Sequence, residues 1–184
     1  MAGKDKRGRL TELYEYVETM VFVVAAMMII FTFFFRATMV SGPSMEPTLY
    51  GGEWLVLQKI QRTNVTYGDI VNVDRTHTKE EPAIKRVIGL AGDEMDIDFE
   101  KGIVYRNGQA LEEPYVKEPT YLQFDVEFPL TVPENCIFVL GDNRNDSKDS
   151  RHSDIGMVDM RRVMGKSVFR FFPLDKIGGL SWNR

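Results

Sequence analysis

The chain has 184 residues, a net charge of -4, one cysteine and two histidines. Its length suits one compact domain with an appendage, and its charge gives no basic footprint for nucleic acid. The lone Cys136 excludes an internal disulfide and reads as a buried strand thiol, and two histidines leave a zinc site short of ligands; neither metal nor cofactor is expected.

Residues 1–13 carry Lys4, Lys6, Arg7 and Arg9 and read as a flexible basic tail. Residues 19–35 carry no charge. At about 1.5 Å per residue they cover about 25 Å, a little short of a bilayer's hydrocarbon core. Extension to 14–36 completes the span, with Tyr14 and Tyr16 at one interface and Phe33, Phe34, Phe35 and Arg36 at the other. Glu18 belongs near the interface, since a carboxylate in lipid is costly. The rival reading is a cleaved signal peptide. Such a peptide has an apolar core of about 7–15 residues, and cleavage near residue 40 would detach this longer run from the polar motif behind it. A retained anchor over 14–36 is therefore expected. Basic residues precede the span, and none follows Arg36 until Lys59. The positive-inside rule puts the N-terminus in the cytoplasm and residues 37–184 outside.

The remainder reads as short strands broken by turns: 36–40, 53–59, 69–74, 83–88, 94–98, 102–106, 136–140 and 167–172. Asn107-Gly108 signals a hairpin, because both central positions of that turn favour positive φ. One short helix is expected at 158–164. The apolar run 168–174 fits a core strand better than a membrane-facing surface. Many short strands with little helix argue for a mostly β, barrel-like or sandwich domain behind one N-terminal helix.

Three stretches could carry chemistry. In Ser41-Gly-Pro-Ser-Met-Glu-Pro-Thr-Leu49, prolines flank Ser44 and stiffen the backbone around its hydroxyl. A serine hydroxyl attacks only when a base takes its proton, and a serine between prolines is also an ordinary turn residue. For the base, His77 sits in a polar loop and reads as solvated, while His152 follows the third stretch. Lys85 lies in the strand 83–88, where it shares a face with Ala83 and Val87. Poor hydration there would lower its pKa from about 10.4 toward 8, roughly 3 kcal/mol; an exposed lysine on a strand is the plainer alternative. The third stretch, Gly141-Asp-Asn-Arg-Asn-Asp-Ser-Lys-Asp-Ser-Arg151, follows an apolar strand and lacks the glycine and ligand pattern of a calcium loop. Ser147 could hydrogen-bond an amine. Asp142 and Asp149 could pair with Arg86, Arg144 or Arg151.

These stretches, with Tyr67-Gly-Asp-Ile-Val71 and Lys85-Arg-Val-Ile-Gly-Leu-Ala-Gly-Asp93, stand in one order behind an anchor. Over about residues 14–173 the chain closely resembles bacterial type I signal peptidases of peptidase family S26, in the compact form typical of Gram-positive bacteria. The resemblance implies a membrane-bound serine endopeptidase that removes signal peptides after small Ala-x-Ala-like residues through an acyl-enzyme. Its partners would be secretory preproteins and the lipid bilayer, and it would function as a monomer. By the same resemblance Ser44 is the nucleophile and Lys85 the general base. Ser147 orients the lysine; Asp142, Arg86, Asp149 and Arg151 brace the site; and Val40, Met45, Leu49 and Ile84 line small side-chain pockets. Some members place a serine two residues before the nucleophile to complete the oxyanion hole. Here that position is Gly42, which leaves the backbone N–H of Ser44. Ala91 also stands where the family has proline. The competing readings are a serine/histidine protease using His152, a tethered binding protein on a decayed protease fold, and a self-cleaving repressor-type relative.

Overall fold

The computed structural model describes residues 2–59, 65–75 and 81–180, with side chains from Glu12 onward. His77 and the side chains of the basic N-terminal residues lie outside the described residues. The chain forms two compact units, Met1–Arg36 and Ala37–Arg184.

The first unit is essentially one helix, α1 (Ala2–Phe34). It takes in most of the stretch read as a tail, and its portion Glu12–Phe34 has the length and hydropathy to cross a membrane, with none of it buried within the protein. The helix stops two residues before the expected end of the span. Phe35 and Arg36 open a strand instead, in a run of aromatic and β-branched residues that favours extended backbone.

The second unit is built on two sheets. The strands are β1 (Phe35–Met39), β2 (Trp54–Gln58), β3 (Ile70–Val73), β4 (Ala83–Gly89), β5 (Glu94–Asp98), β6 (Ile103–Arg106), β7 (Gln109–Ala110), β8 (Leu130–Thr131), β9 (Cys136–Leu140), β10 (Val158–Asp159), β11 (Val163–Phe172) and β12 (Gly178–Gly179). The larger sheet has the order β1-β2-β11-β3-β4-β9-β10, with β12 on β11; the smaller has the order β7-β6-β5-β8. The expectation of a mostly β domain behind one helix holds. The larger sheet curls: Asn72 on β3 reaches Thr38 on β1, although β2 and β11 lie between their strands in the sheet.

Strand β4 is the pivot, buried at every residue. Val87 joins a core with Val71, Val73 and Val139. Ile88 joins Phe138 and Leu140 against Met95, Ile97 and Val104 of the smaller sheet. Ile84 joins Val40, Met45, Leu49, Leu55 and Ile70. Asn107 and Gly108 have φ of 53° and 73° and turn β6 into β7, as their sequence signals.

Two expectations are corrected. Residues 158–164 are not one helix; β10 is followed by a single 3-10 turn, Met160–Arg162, and then by β11. Val158 and Val163 enter the same core, whereas five residues along a helix would turn them about 140° apart. The run 168–174 is also not core. Phe169, Phe171, Phe172 and Leu174 are 39%, 37%, 49% and 76% exposed. Beyond Ser167, β11 is flanked among the described residues only by β2 and the short β12, and its ladder with β2 is shifted twice.

Candidate active site

The turn carrying Ser44 is closed at its base and pinned from within. Val40 N–H donates to Glu53 O at 2.8 Å, and Gly52 N–H donates to Val40 O at 2.9 Å. Gly42 and Gly52 take φ of +77° and +88°, which glycine alone adopts cheaply. Leu49 N–H donates to Met45 O at 2.9 Å, and both side chains are buried with Val40 and Ile84. The four expected pocket residues thus come together in one apolar cluster beneath the turn. Ser44 is left half-buried, and its own N–H enters no backbone hydrogen bond among the described residues.

Lys85 comes from the middle of β4, with Ala83 and Val87 on its own face and Val71 opposite it on β3. It is 3% exposed. Its Nζ donates to Ser44 Oγ at 2.8 Å and to Ile84 O at 3.0 Å. Burial lowers its pKa to about 8; Asp149 and Asp142 oppose that shift, and Arg75 and Arg151 add to it. A neutral amine beside a serine hydroxyl is therefore populated near neutral pH.

The loop after β9 holds this pair in place. Arg86 points to the opposite face of β4 from Lys85 and grips Asp142 through two bonds of 2.8 and 2.6 Å, both side chains fully buried. The Thr48 hydroxyl also donates to Asp142, so the turn behind Ser44 shares this anchor. Arg86 stacks on the Tyr115 ring, 4.1 Å from its centre. Asp149 takes Arg151 at 2.8 Å and the N–H of Gly141 at 3.0 Å. Asn143 donates from its backbone to Ser44 O at 3.0 Å and from its side chain to Pro43 O at 3.2 Å. Ser147 is 4% exposed, and its hydroxyl has no hydrogen-bond partner among the described residues. A contact from it to Lys85 is not among the hydrogen bonds formed.

Sequence reasoning brought together Ser44, Lys85, Asp142, Arg86, Asp149 and Arg151, but left Arg144 among several partners. Arg144 pairs with Glu113 at 2.6 Å and Thr120 at 2.9 Å, fastening the patternless segment 111–127 to the loop. Nothing local in the sequence marks Glu113 for this. Thr48 and Asn143 lie inside stretches already singled out, and their polar side chains beside the key residues were the available signal. His152 stands apart from the dyad; its Nδ1 accepts from Asp154 N–H at 3.2 Å, and its ring packs on Phe124. Among the described residues no three His, Cys, Asp or Glu side chains group as metal ligands.

The family model described as signal peptidase, peptidase S26, matches residues 13–172. A signal peptidase I of Bacillus licheniformis is 36% identical over 96% of this chain and 98% of its own. One of Bacillus caldolyticus is 37% identical over 94% of this chain and 95% of its own. The crystal structure of a signal peptidase I from Enterococcus faecalis V583 is 30% identical, covering 56% of this chain and 97% of its own at a TM-score of 0.46.

Proposed function

The chain belongs to the signal peptidase family, peptidase S26, and from that premise we propose that it cuts signal peptides from exported preproteins through an acyl-enzyme, with Ser44 as nucleophile and Lys85 as general base. Its class is that of a serine peptidase, signal peptidase I, and its reaction is removal of signal peptides. The observation that carries the dyad is the 2.8 Å contact between Ser44 Oγ and a buried Nζ whose pKa is about 8.

In the first half-reaction neutral Lys85 takes the Ser44 proton as Oγ attacks the scissile carbonyl carbon. The oxyanion draws on the free N–H of Ser44, in a turn held open by the positive φ of Gly42. Protonated Lys85 then gives its proton to the leaving amine, the C–N bond breaks, and the mature protein departs. In the second half Lys85 takes a proton from water, whose oxygen attacks the ester; Oγ recovers the proton and the signal peptide is released. Arg86–Asp142 and Asp149–Arg151 fix the surrounding backbone, and the buried Ser147 hydroxyl is assigned to orienting the amine. Val40, Met45, Leu49 and Ile84 form the floor that accepts only small side chains.

The helix α1 anchors the protein in the membrane, with the N-terminus cytoplasmic and residues 37–184 outside. The exposed face of Trp54, Phe171, Phe172 and Leu174 rests on lipid, and the enzyme works as a monomer. A secretory precursor incubated with wild type, Ser44→Ala, Lys85→Arg and His152→Ala tests the reading, with mass mapping of the cut. Wild type and His152→Ala cut after a small residue, and the other two do not. Cleavage by Lys85→Arg would remove the dyad, because arginine cannot act as a base.

A further inference from the structure

The face that presents the pocket residues changes character along its length. Side chains two apart on a strand share a face. On β1 and its extension, Thr38 and Val40 are therefore neighbours; on β3, Ile70 and Asn72 are. Ile84 of β4 lies opposite Asn72. Val40, Ile70 and Ile84 are apolar and packed together. Thr38 and Asn72 continue the same surface as polar groups, backed by Ser167 of β11. The Ser167 hydroxyl donates to Asn72 Oδ1 at 3.0 Å, and Asn72 Nδ2 donates to Thr38 Oγ1 at 3.4 Å. Asn72 and Ser167 are 2% and 1% exposed, while Thr38 is half-buried.

Burying such a trio costs free energy that an aliphatic core would not incur. Its acceptor side is satisfied. On the donor side, a carboxamide has two N–H groups, and the bond to Thr38 uses one at the long end of the range. The half-buried Thr38 hydroxyl, which accepts that bond, still has its own O–H to donate and is the member of the trio that a guest can reach. Strand β1 ends the order of its sheet, so among the described residues one of its edges has no partner strand, and the chain runs from β1 directly into the Ser44 turn. An extended peptide lying along that edge in the same direction brings its scissile bond to Ser44. The side chain before the cut then meets Val40, and the side chain two residues earlier meets Thr38. Thr38 and Val40 repeat at about 6.6 Å, the two-residue rise of a strand.

We propose that Thr38, oriented by Asn72 with Ser167 behind it, makes the subsite for the third residue before the cut a polar one. It selects precursors carrying serine or threonine there over those carrying valine. The proposal rests on the Ser44/Lys85 reading of the site.

The test uses the full-length enzyme in detergent and three precursors identical except at that residue: alanine, serine or valine. The readout is the ratio of kcat/KM for the serine and valine precursors. Wild type is expected to favour serine by about 3- to 10-fold, the worth of one net hydrogen bond. Asn72→Leu and Thr38→Val are each expected to lower that ratio at least 3-fold. Thr38 is half-buried, so its variant keeps the test open should Asn72→Leu not fold. A wild-type preference for valine, or a ratio unmoved in a variant that still cuts, overturns the proposal. Ser44→Ala runs alongside: if it cuts all three precursors, the dyad reading itself falls, whatever the ratios are.

Discussion

Gly141 lies directly beneath Ser44. A Cβ on Gly141 would sit 2.5 Å from the Ser44 carbonyl oxygen and would overlap the Ser147 hydroxyl. The backbone after β9 and the backbone of the nucleophile turn therefore touch without an intervening side chain, and Asn143 ties them with two hydrogen bonds. Gly141→Ala is expected to push the two apart. A shift of about 1 Å in such a site costs on the order of 100-fold in rate, and overpacking costs about 1–3 kcal/mol. Precursor cleavage together with thermal unfolding measures both. A variant that cuts at the wild-type rate would mean that the close approach is not needed.

Lys85 ties both activity and stability to pH, each rising with pH but in different windows. Activity needs the neutral amine, so kcat/KM should rise about tenfold per pH unit below about 8 and level off above it. Stability follows from the same lowered pKa. Below about 8 the lysine is charged in both states, and the folded protein bears the full cost of burying that charge. Between about 8 and 10.5 it is neutral only when folded, so stability climbs with pH. Lys85→Met removes both the base and the cost. It should be inactive and more stable at pH 7 by up to about 3 kcal/mol, the equivalent of about 2.5 pKa units, with the gain fading toward pH 10. Denaturant melts at pH 7 and pH 10 decide it, and an equal effect at both pH values would count against a desolvated ammonium.

The motifs and strand alternation made this much legible before any coordinates. The 83–88 pattern put Lys85 among small apolar groups, and residues 83–89 are indeed a central strand. What the sequence hid is whatever depends on contacts between distant segments. Glu113 meets Arg144 only because the segment 111–127 passes over the loop, and no periodicity announces it. Thr38 and Asn72 meet only because the sheet curls. The run 168–174 misled because aromatic residues on a strand look the same whether a neighbouring layer covers them or not.

The two ion pairs nearest the nucleophile turn should differ widely in worth. Arg86–Asp142 is fully buried, so Asp142→Ala leaves a guanidinium uncompensated at a cost of about 3–5 kcal/mol. It also frees Thr48 and should lower activity sharply. Lys117–Glu46 spans 3.0 Å on the surface, with the lysine side chain 47% exposed, and solvent screening leaves Lys117→Ala with far the smaller loss. Urea melts of the two variants compare them directly. A similar loss in both would mean that the buried network does not brace the turn.

The exposed aromatic face makes a prediction that separates membrane contact from catalysis. Trp54 and Phe171 pack in a tilted pair with ring centres 6.2 Å apart, and with Phe172 and Leu174 they present an apolar surface of a kind monomeric soluble domains seldom leave open. Aromatic rings with one polar atom favour the lipid–water interface, and Arg170, beside them on β11, turns away to Glu53 at 2.8 Å. On the proposed lipid-facing surface, Phe171→Ser combined with Leu174→Ser is expected to remove lipid contact while leaving Ser44 and Lys85 untouched. In vesicles the double variant should cut a membrane-embedded precursor at least several-fold more slowly than wild type, whereas a short peptide in detergent should be cut at a similar rate. In vesicles with brominated acyl chains, the quenching lost in Trp54→Phe reports whether that ring lies at the bilayer. Equal vesicle activity with unquenched Trp54 would place this face in water and leave its aromatic composition to some other contact.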